Sequence, residues 1–358
     1  MLEYVVLYAI FLLAVISQIY YKQQMAFFLF FVGLIISTLI SAFRDMIGGY
    51  DIYIYSQYFE YIEYNILPYE YGYYLYNLFL SFLNSDRQTL FFFTAILFSL
   101  ALYNSSFIKN IRFYTVVLFI LFCKLYFYSF VYLRQILAAI IVWWAIYNLI
   151  NNKKNFFILL VLLASSFHLS ALIALPLYFM TKVIKFNNII LIYILGFLFG
   201  VVFNMQALFG LIGSSLDNER ILGAELNAIK FNYFYVVEAT LIFFWILLNY
   251  KFYIKYERDK VIIFNVSIYY CLFVLLTVKD ATAVRMCWYL LIGPAWLIAH
   301  NLDTRFNGYK YFALIVILYF SVIFFRTMFL WDGGDFLPYK SIYSDVQREG
   351  RWEHLEYR

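Results

Sequence analysis

The stretch "NIILIYILGFLFGVVF", residues 188–203, runs sixteen positions without a charged side chain. Runs of this kind recur along the whole chain, and about 20 apolar residues suffice to cross a bilayer. In lipid the backbone must satisfy its own polar groups, so the spanning elements are helices or a closed barrel. The apolar runs are continuous rather than alternating, which excludes a barrel. Composition agrees: 65% of the 358 residues are hydrophobic and 13% are charged, far below the roughly 25% charge of ordinary soluble domains. The mean hydropathy is +0.79. The chain therefore reads as an all-α polytopic integral membrane protein.

Apolar windows predict spans over 4–21, 26–43, 88–104, 113–128, 131–150, 188–210, 233–250, 261–278, 286–300 and 310–330. Residues 155–180, "NFFILLVLLASSFHLSALIALPLYFM", are too long for one straight helix and too short for two. A break at "SSFH" makes them a broken pair, giving about twelve helices in all. The N-terminus has neither a basic leader nor a small-residue cleavage site, so the first apolar run reads as a retained span. No repeats, soluble domain or Gly/Pro/Ser-rich linker appear, and residues 1–358 read as one membrane domain.

Positively charged short loops stay in the cytoplasm. "YYKQQ", "IKNIR", "NNKKN", "TKVIK" and "KFYIKYERDK" are the basic loops. Placing them inside puts residues 44–87, the segments "SSLDNERILGAEL" and "KDATAVR", and the tail 331–358 outside. This alternation requires 71–84, "YGYYLYNLFLSFLN", to be a short interfacial or re-entrant helix. The net charge of +5 follows from those loops and calls for no nucleic acid. Cys123, Cys271 and Cys287 lie in apolar surroundings without metal-type spacing, so they read as small buried hydrophobes.

Charged groups within or at the ends of spans are costly and mark function by default. Arg44, Arg134, Arg285 and Arg326 all fall at the outer ends of predicted spans, against the positive-inside trend. Each alone reads equally well as a side chain snorkelling to the headgroups. Together they fit an anion, because a guanidinium offers a planar fork of donors to phosphate oxygens. A lipid diphosphate leaving a sugar would gain from fixed cations at its developing charge. The chain has no Asp-x-Asp pair, so no metal clamp and no cofactor are indicated.

Asp51 and His168 are the candidate bases for an acceptor hydroxyl. Asp51 reads equally well as a helix cap, and His168 as a satisfied core group. Eleven tyrosines crowd residues 50–76. Tyr50, Tyr55, Tyr58 and Tyr73 among them are candidates to stack on sugar rings while their hydroxyls bond ring hydroxyls.

The motif order resembles the EpsG family of bacterial exopolysaccharide proteins, which are Wzy-like polymerases. The residues that carry this are "FRDMIGGYDIYIY" (43–55), "PYEYGYYLYNLF" (68–79), "LRQILAAII" (133–141), "SSFHLSALIALP" (165–176) and "RMCWYL" (285–290). The resemblance implies a GT-C-like helical architecture in the bacterial inner membrane with a periplasm-facing site. Its donor and acceptor would both be undecaprenyl-diphosphate-linked oligosaccharides, with Glu70 and Gln135 added to the sugar-binding set. It leaves room for a chain-length-determining partner protein. Two other readings compete: a lipid-linked oligosaccharide flippase and an O-antigen ligase. A transporter would show inverted repeats and charges at mid-membrane depth, and the sequence offers neither.

Overall fold

The computed structural model describes residues 1–20, 22–64, 69–107, 112–203, 231–255, 257–280, 282–303, 308–331 and 333–344. Its α-helices, in chain order, are α1 (Leu2–Ile19), α2 (Gln23–Ala42), α3 (Gly49–Glu60), α4 (Tyr71–Ser81), α5 (Arg87–Ser106), α6 (Tyr114–Leu125), α7 (Tyr128–Val131) and α8 (Leu133–Ile150). They continue with α9 (Lys154–Ser165), α10 (Phe186–Val202), α11 (Tyr233–Leu248), α12 (Tyr250–Tyr253), α13 (Arg258–Leu276), α14 (Ile292–Asp303) and α15 (Tyr309–Leu330). Two 3-10 segments, Leu169–Tyr178 and Ala283–Tyr289, complete the set. Among the described residues there is no strand, only an isolated antiparallel bridge between Arg44 and Ser341.

The predicted spans map onto these helices closely, and of the expected twelve or so, some short or broken, only part is of full spanning length among the described residues. Six described helices are long and apolar enough to cross a membrane: α1, α2, α5, α8, α13 and the Tyr311–Leu330 part of α15. A seventh results if Ala283–Tyr289 and Ile292–His300, bent by 51° to each other, form one span. Helices such as α6, with 12 residues, rise only about 18 Å at 1.5 Å per residue, short of the roughly 30 Å hydrocarbon layer. The far end of the expected span 188–210, the segment "SSLDNERILGAEL" and the tail from 345 lie outside the described residues.

The chain divides into two compact units. The first comprises residues 1–144, 159–172 and 298–358; the second, 145–158 and 173–297. In the first, α1 packs on α2, α2 on α5, and α6 on α1, α5 and α15. Beside them α3, α4 and α5 enclose an aromatic core that includes Tyr55, Tyr58, Phe59, Tyr73 and Phe91. In the second, α10, α11 and the segment Ala283–Tyr289 all pack on α13. Cys123, Cys271 and Cys287 are free thiols and buried.

Candidate functional site

The turn after α2 is built around Arg44, which is 1% exposed. Its Nε donates to the Ile47 carbonyl at 3.2 Å, Nη1 to the carbonyl and hydroxyl of Ser41, and Nη2 to the Phe130 carbonyl at 3.5 Å. The guanidinium carbon lies 4.6 Å from the ring centroids of both Phe91 and Phe130. Burial pulls its pKa down to about 10, which leaves it a cation at neutral pH. All three nitrogens of the fork are thus committed to protein acceptors. Arg44 holds a loop shut; its donors do not face an open surface.

The same turn needs its glycines. Gly49 has φ +67°, and a Cβ there would meet the Gly333 carbonyl oxygen. The tail closes over this turn: Asp45 N–H donates to the Lys340 carbonyl at 3.0 Å and Ile342 N–H to the Phe43 carbonyl at 3.1 Å. The Asp45 carboxylate, in turn, faces Lys340 Nζ at 3.2 Å and Arg87 at 3.4 Å. Asp51 is not the helix cap. Gly48 occupies that position, and Asp51 sits half-buried in the first turn of α3, where the helix dipole favours a carboxylate.

Arg134, the second residue of α8, is held differently. Its Nη1 pairs with Glu70 Oε2, its Nε donates to the Tyr55 hydroxyl at 3.2 Å, and its carbon lies 4.2 Å from the centroid of the Tyr69 ring. Among the described residues Nη2 donates to nothing, and the side chain is 19% exposed. A guanidinium held on three sides is fixed in position, with its charge already facing the Glu70 carboxylate. This is the difference between the two arginines: Arg44 is spent on buried backbone carbonyls, Arg134 on side chains at a partly exposed position.

Glu70 ties three segments together. Besides Arg134 it receives the Leu169 N–H on Oε1 at 3.4 Å, and it directly precedes α4. The first amides of α4, Gly72 and Tyr73, donate to the Ser166 carbonyl at 2.8 and 3.3 Å. Ser166 lies in the expected break: α9 ends at Ser165 and the 3-10 segment starts at Leu169. A ten-residue 3-10 run containing Pro176 is unusually long and marks a functional or strained site. His168 occupies the break, half-buried, with Nδ1 2.6 Å from the Ser170 hydroxyl. A Cβ on Gly72 would meet Ser166 side chain and backbone. Gly72→Ala is therefore expected to push α4 off the break and lower the unfolding midpoint of the purified protein.

The tyrosines divide. Tyr55, Tyr58 and Tyr73 are 5%, 5% and 0% exposed, packed ring on ring with Tyr69. Aromatic faces satisfy each other here, so these residues form the floor beneath Arg134 rather than an open stacking platform. Burial pushes the Tyr58 hydroxyl up to about 12 and raises that of Tyr73 as well. Tyr50 is 47% exposed. Gln135 is buried in α8.

Arg326 is half-buried near the end of α15. Arg285 belongs to the second unit, where its Nε donates to the Thr282 carbonyl at 3.1 Å. Two side chains went unnoticed in the sequence as site material. Tyr69 was one among eleven tyrosines, and nothing local marks it as the ring under Arg134. Glu238 is a lone acid in the apolar run "YVVEATLIFF", six residues into α11, 1% exposed and bonded by the Tyr270 hydroxyl. It is an acid buried within an apolar helix shorter than the six of spanning length.

Helices of spanning length define a multi-pass membrane protein, and its first unit holds a broken helix carrying a histidine and an arginine fixed by Glu70 and Tyr55. The chain belongs to the EpsG family, whose model matches residues 26–341, from α2 through the Arg44–Ser341 bridge. No match to a curated protein or to a solved structure accompanies it.

Proposed function

We propose that this protein polymerises lipid-linked oligosaccharide repeats of O-antigen, capsule or exopolysaccharide. The growing glycan leaves undecaprenyl diphosphate and joins the non-reducing end of an incoming lipid-linked repeat, at the periplasmic face of the bacterial inner membrane and within a GT-C-like helical fold. Family membership supports the class; the observation that carries the site is the open Nη2 edge of Arg134.

In this reading Arg134 receives the diphosphate and Arg44 shapes the adjoining wall, while Arg326 and Arg285 are separate candidate cations. Negative charge grows on the leaving oxygen as the anomeric bond breaks, so a donor already fixed there favours the transition state over the ground state. Cationic side chains then do what a divalent metal does elsewhere, without a cofactor. Tyr50 offers its exposed face to a sugar. Tyr55, Tyr58, Tyr73 and Gln135 line the floor, and Glu70 holds Arg134 in place. A carboxylate such as Asp51, or His168, lies within the same unit to take the acceptor proton.

The test is a deletion strain complemented with variants of Arg134, Arg285 and His168, its surface glycan resolved on a gel. Loss of a polymerase leaves a single repeat on the acceptor, loss of a flippase leaves none, and loss of a ligase accumulates lipid-linked polymer. Normal ladders from all the variants would overturn the assignment.

A further inference from the structure

Three basic segments of the second unit lie at helix ends: 151–155 after α8, 181–185 before α10, and 250–260 between α11 and α13. They carry eight of the chain's 26 lysines and arginines, against two carboxylates, Glu257 and Asp259. A buried polar pair ties them together. Tyr253 is buried, and its hydroxyl accepts the Ile184 N–H at 2.8 Å while donating to Asn265 Oδ1 at 2.6 Å. Asn265, buried in α13, gives both hydrogens of its Nδ2 to the Met180 and Lys182 carbonyls, at 2.7 and 2.9 Å. The Tyr250 hydroxyl donates to the Ile184 carbonyl at 3.4 Å, and Lys154 Nζ lies 4.9 Å from the Tyr178 ring centroid. A satisfied buried network rigidifies what it holds, so these lysines stand on a fixed frame.

The cations are left for something outside the chain. Lys153, Lys182, Lys185, Lys251, Lys255 and Arg258 are exposed, and among the described residues none of them pairs with a carboxylate. Residues Asn152 to Phe156 line a cavity of about 520 Å³ that contains two of the lysines and two side-chain amides, a volume typical of small-ligand sites. Large apolar side chains stand exposed among the cations, Phe179, Phe252 and Ile254 above all. Phosphate alone would leave those side chains in water. The boundary between acyl chains and headgroups accommodates apolar and basic groups together, and basic loops are the ones kept in the cytoplasm.

We propose that this end of the second unit is a preorganised binding surface for anionic phospholipids of the cytoplasmic leaflet. Lys153 and Lys154 hold a phosphodiester headgroup at the cavity, Lys182, Lys185, Lys251 and Lys255 hold headgroups beside it, and acyl chains lie against Phe179 and Phe252. Each ammonium acts as a point charge on a phosphate oxygen. Selection comes from charge and from the spacing that Tyr253 and Asn265 fix, and it is independent of the polymerase reading.

The test uses the full-length protein in phosphatidylcholine bilayers that carry a trace of spin-labelled lipid, whose motionally restricted fraction reports lipid held by the protein. Labelled phosphatidylglycerol should be held in preference to labelled phosphatidylcholine. A basic group near an anionic surface is worth about 1 kcal/mol, or about fivefold in association, so Lys182→Gln and Lys251→Gln should each weaken the preference about fivefold. Replacing all six named lysines by Gln should abolish it. These side chains are exposed or, for Lys154, half-buried, so the variants keep the fold. Tyr253→Phe leaves every cation in place and removes only the hydroxyl that fixes Ile184; with helical circular dichroism unchanged, it should also lower the preference. No preference in the wild type, or one that survives loss of the lysines, overturns the proposal. A preference lost with the lysines but untouched in Tyr253→Phe means diffuse attraction and overturns the preorganised surface. Displacement of labelled phosphatidylglycerol by inorganic phosphate would assign the surface to a free anion and overturn the lipid.

Discussion

Arg134→Ala is expected to collapse the surface glycan from a ladder to a single repeat, with polymerisation down by about 10²–10³-fold, the usual cost of removing one preorganised donor from a developing anion. The protein itself should persist. Glu70 is 27% exposed and can turn to water when its partner is lost, so the pair contributes on the order of 1 kcal/mol to stability. Arg134→Lys is expected to recover little. A lysine carries the charge, but a single ammonium cannot reach Glu70, the Tyr55 hydroxyl and a substrate oxygen from one fixed plane. The measurement is ladder length at matched membrane abundance. Polymer of normal length from Arg134→Ala would remove the site's central residue.

Arg44→Ala should act through folding instead. Truncation leaves the carbonyls of Ser41, Ile47 and Phe130 without their donor in a buried turn, and each unsatisfied buried group costs about 1–3 kcal/mol. A loss on the order of 3 kcal/mol or more follows, seen as reduced membrane abundance and a lowered unfolding midpoint of the purified protein. Arg44→Lys should rescue poorly, since one ammonium replaces a fork that serves three carbonyls. If Arg44→Ala were abundant and thermally normal yet made no polymer, Arg44 would belong with Arg134 at the diphosphate.

The contrast between these arginines shows what the sequence conveyed. Helix positions were legible because apolar runs are local: residues 88–104 and 310–330 were predicted where α5 and α15 lie. The break at "SSFH" was legible from length alone, since no single straight helix accommodates 155–180. The fates of Arg44 and Arg134 were not legible, because both end apolar runs and both read as outward cations. What separates them is a carbonyl 86 positions away in one case and a carboxylate 64 positions away in the other. The packing of Tyr55, Tyr58 and Tyr73 was not legible for the same reason: an aromatic residue that stacks on a sugar and one that stacks on its neighbour are identical in sequence. Glu238 was visible as a letter, but its meaning depended on Tyr270 from another helix.

The pairing of Phe43 with Ile342 also constrains membrane topology. Two backbones joined by a hydrogen bond lie on the same side of the bilayer, so the chain must complete an even number of crossings between them. That requirement holds whichever short helices traverse fully and whatever path the intervening residues take. The tail thereby acts as a parity check on insertion. One segment inserted the wrong way would strand Lys340 and Ile342 on the opposite face and leave the Arg44 turn without its cover.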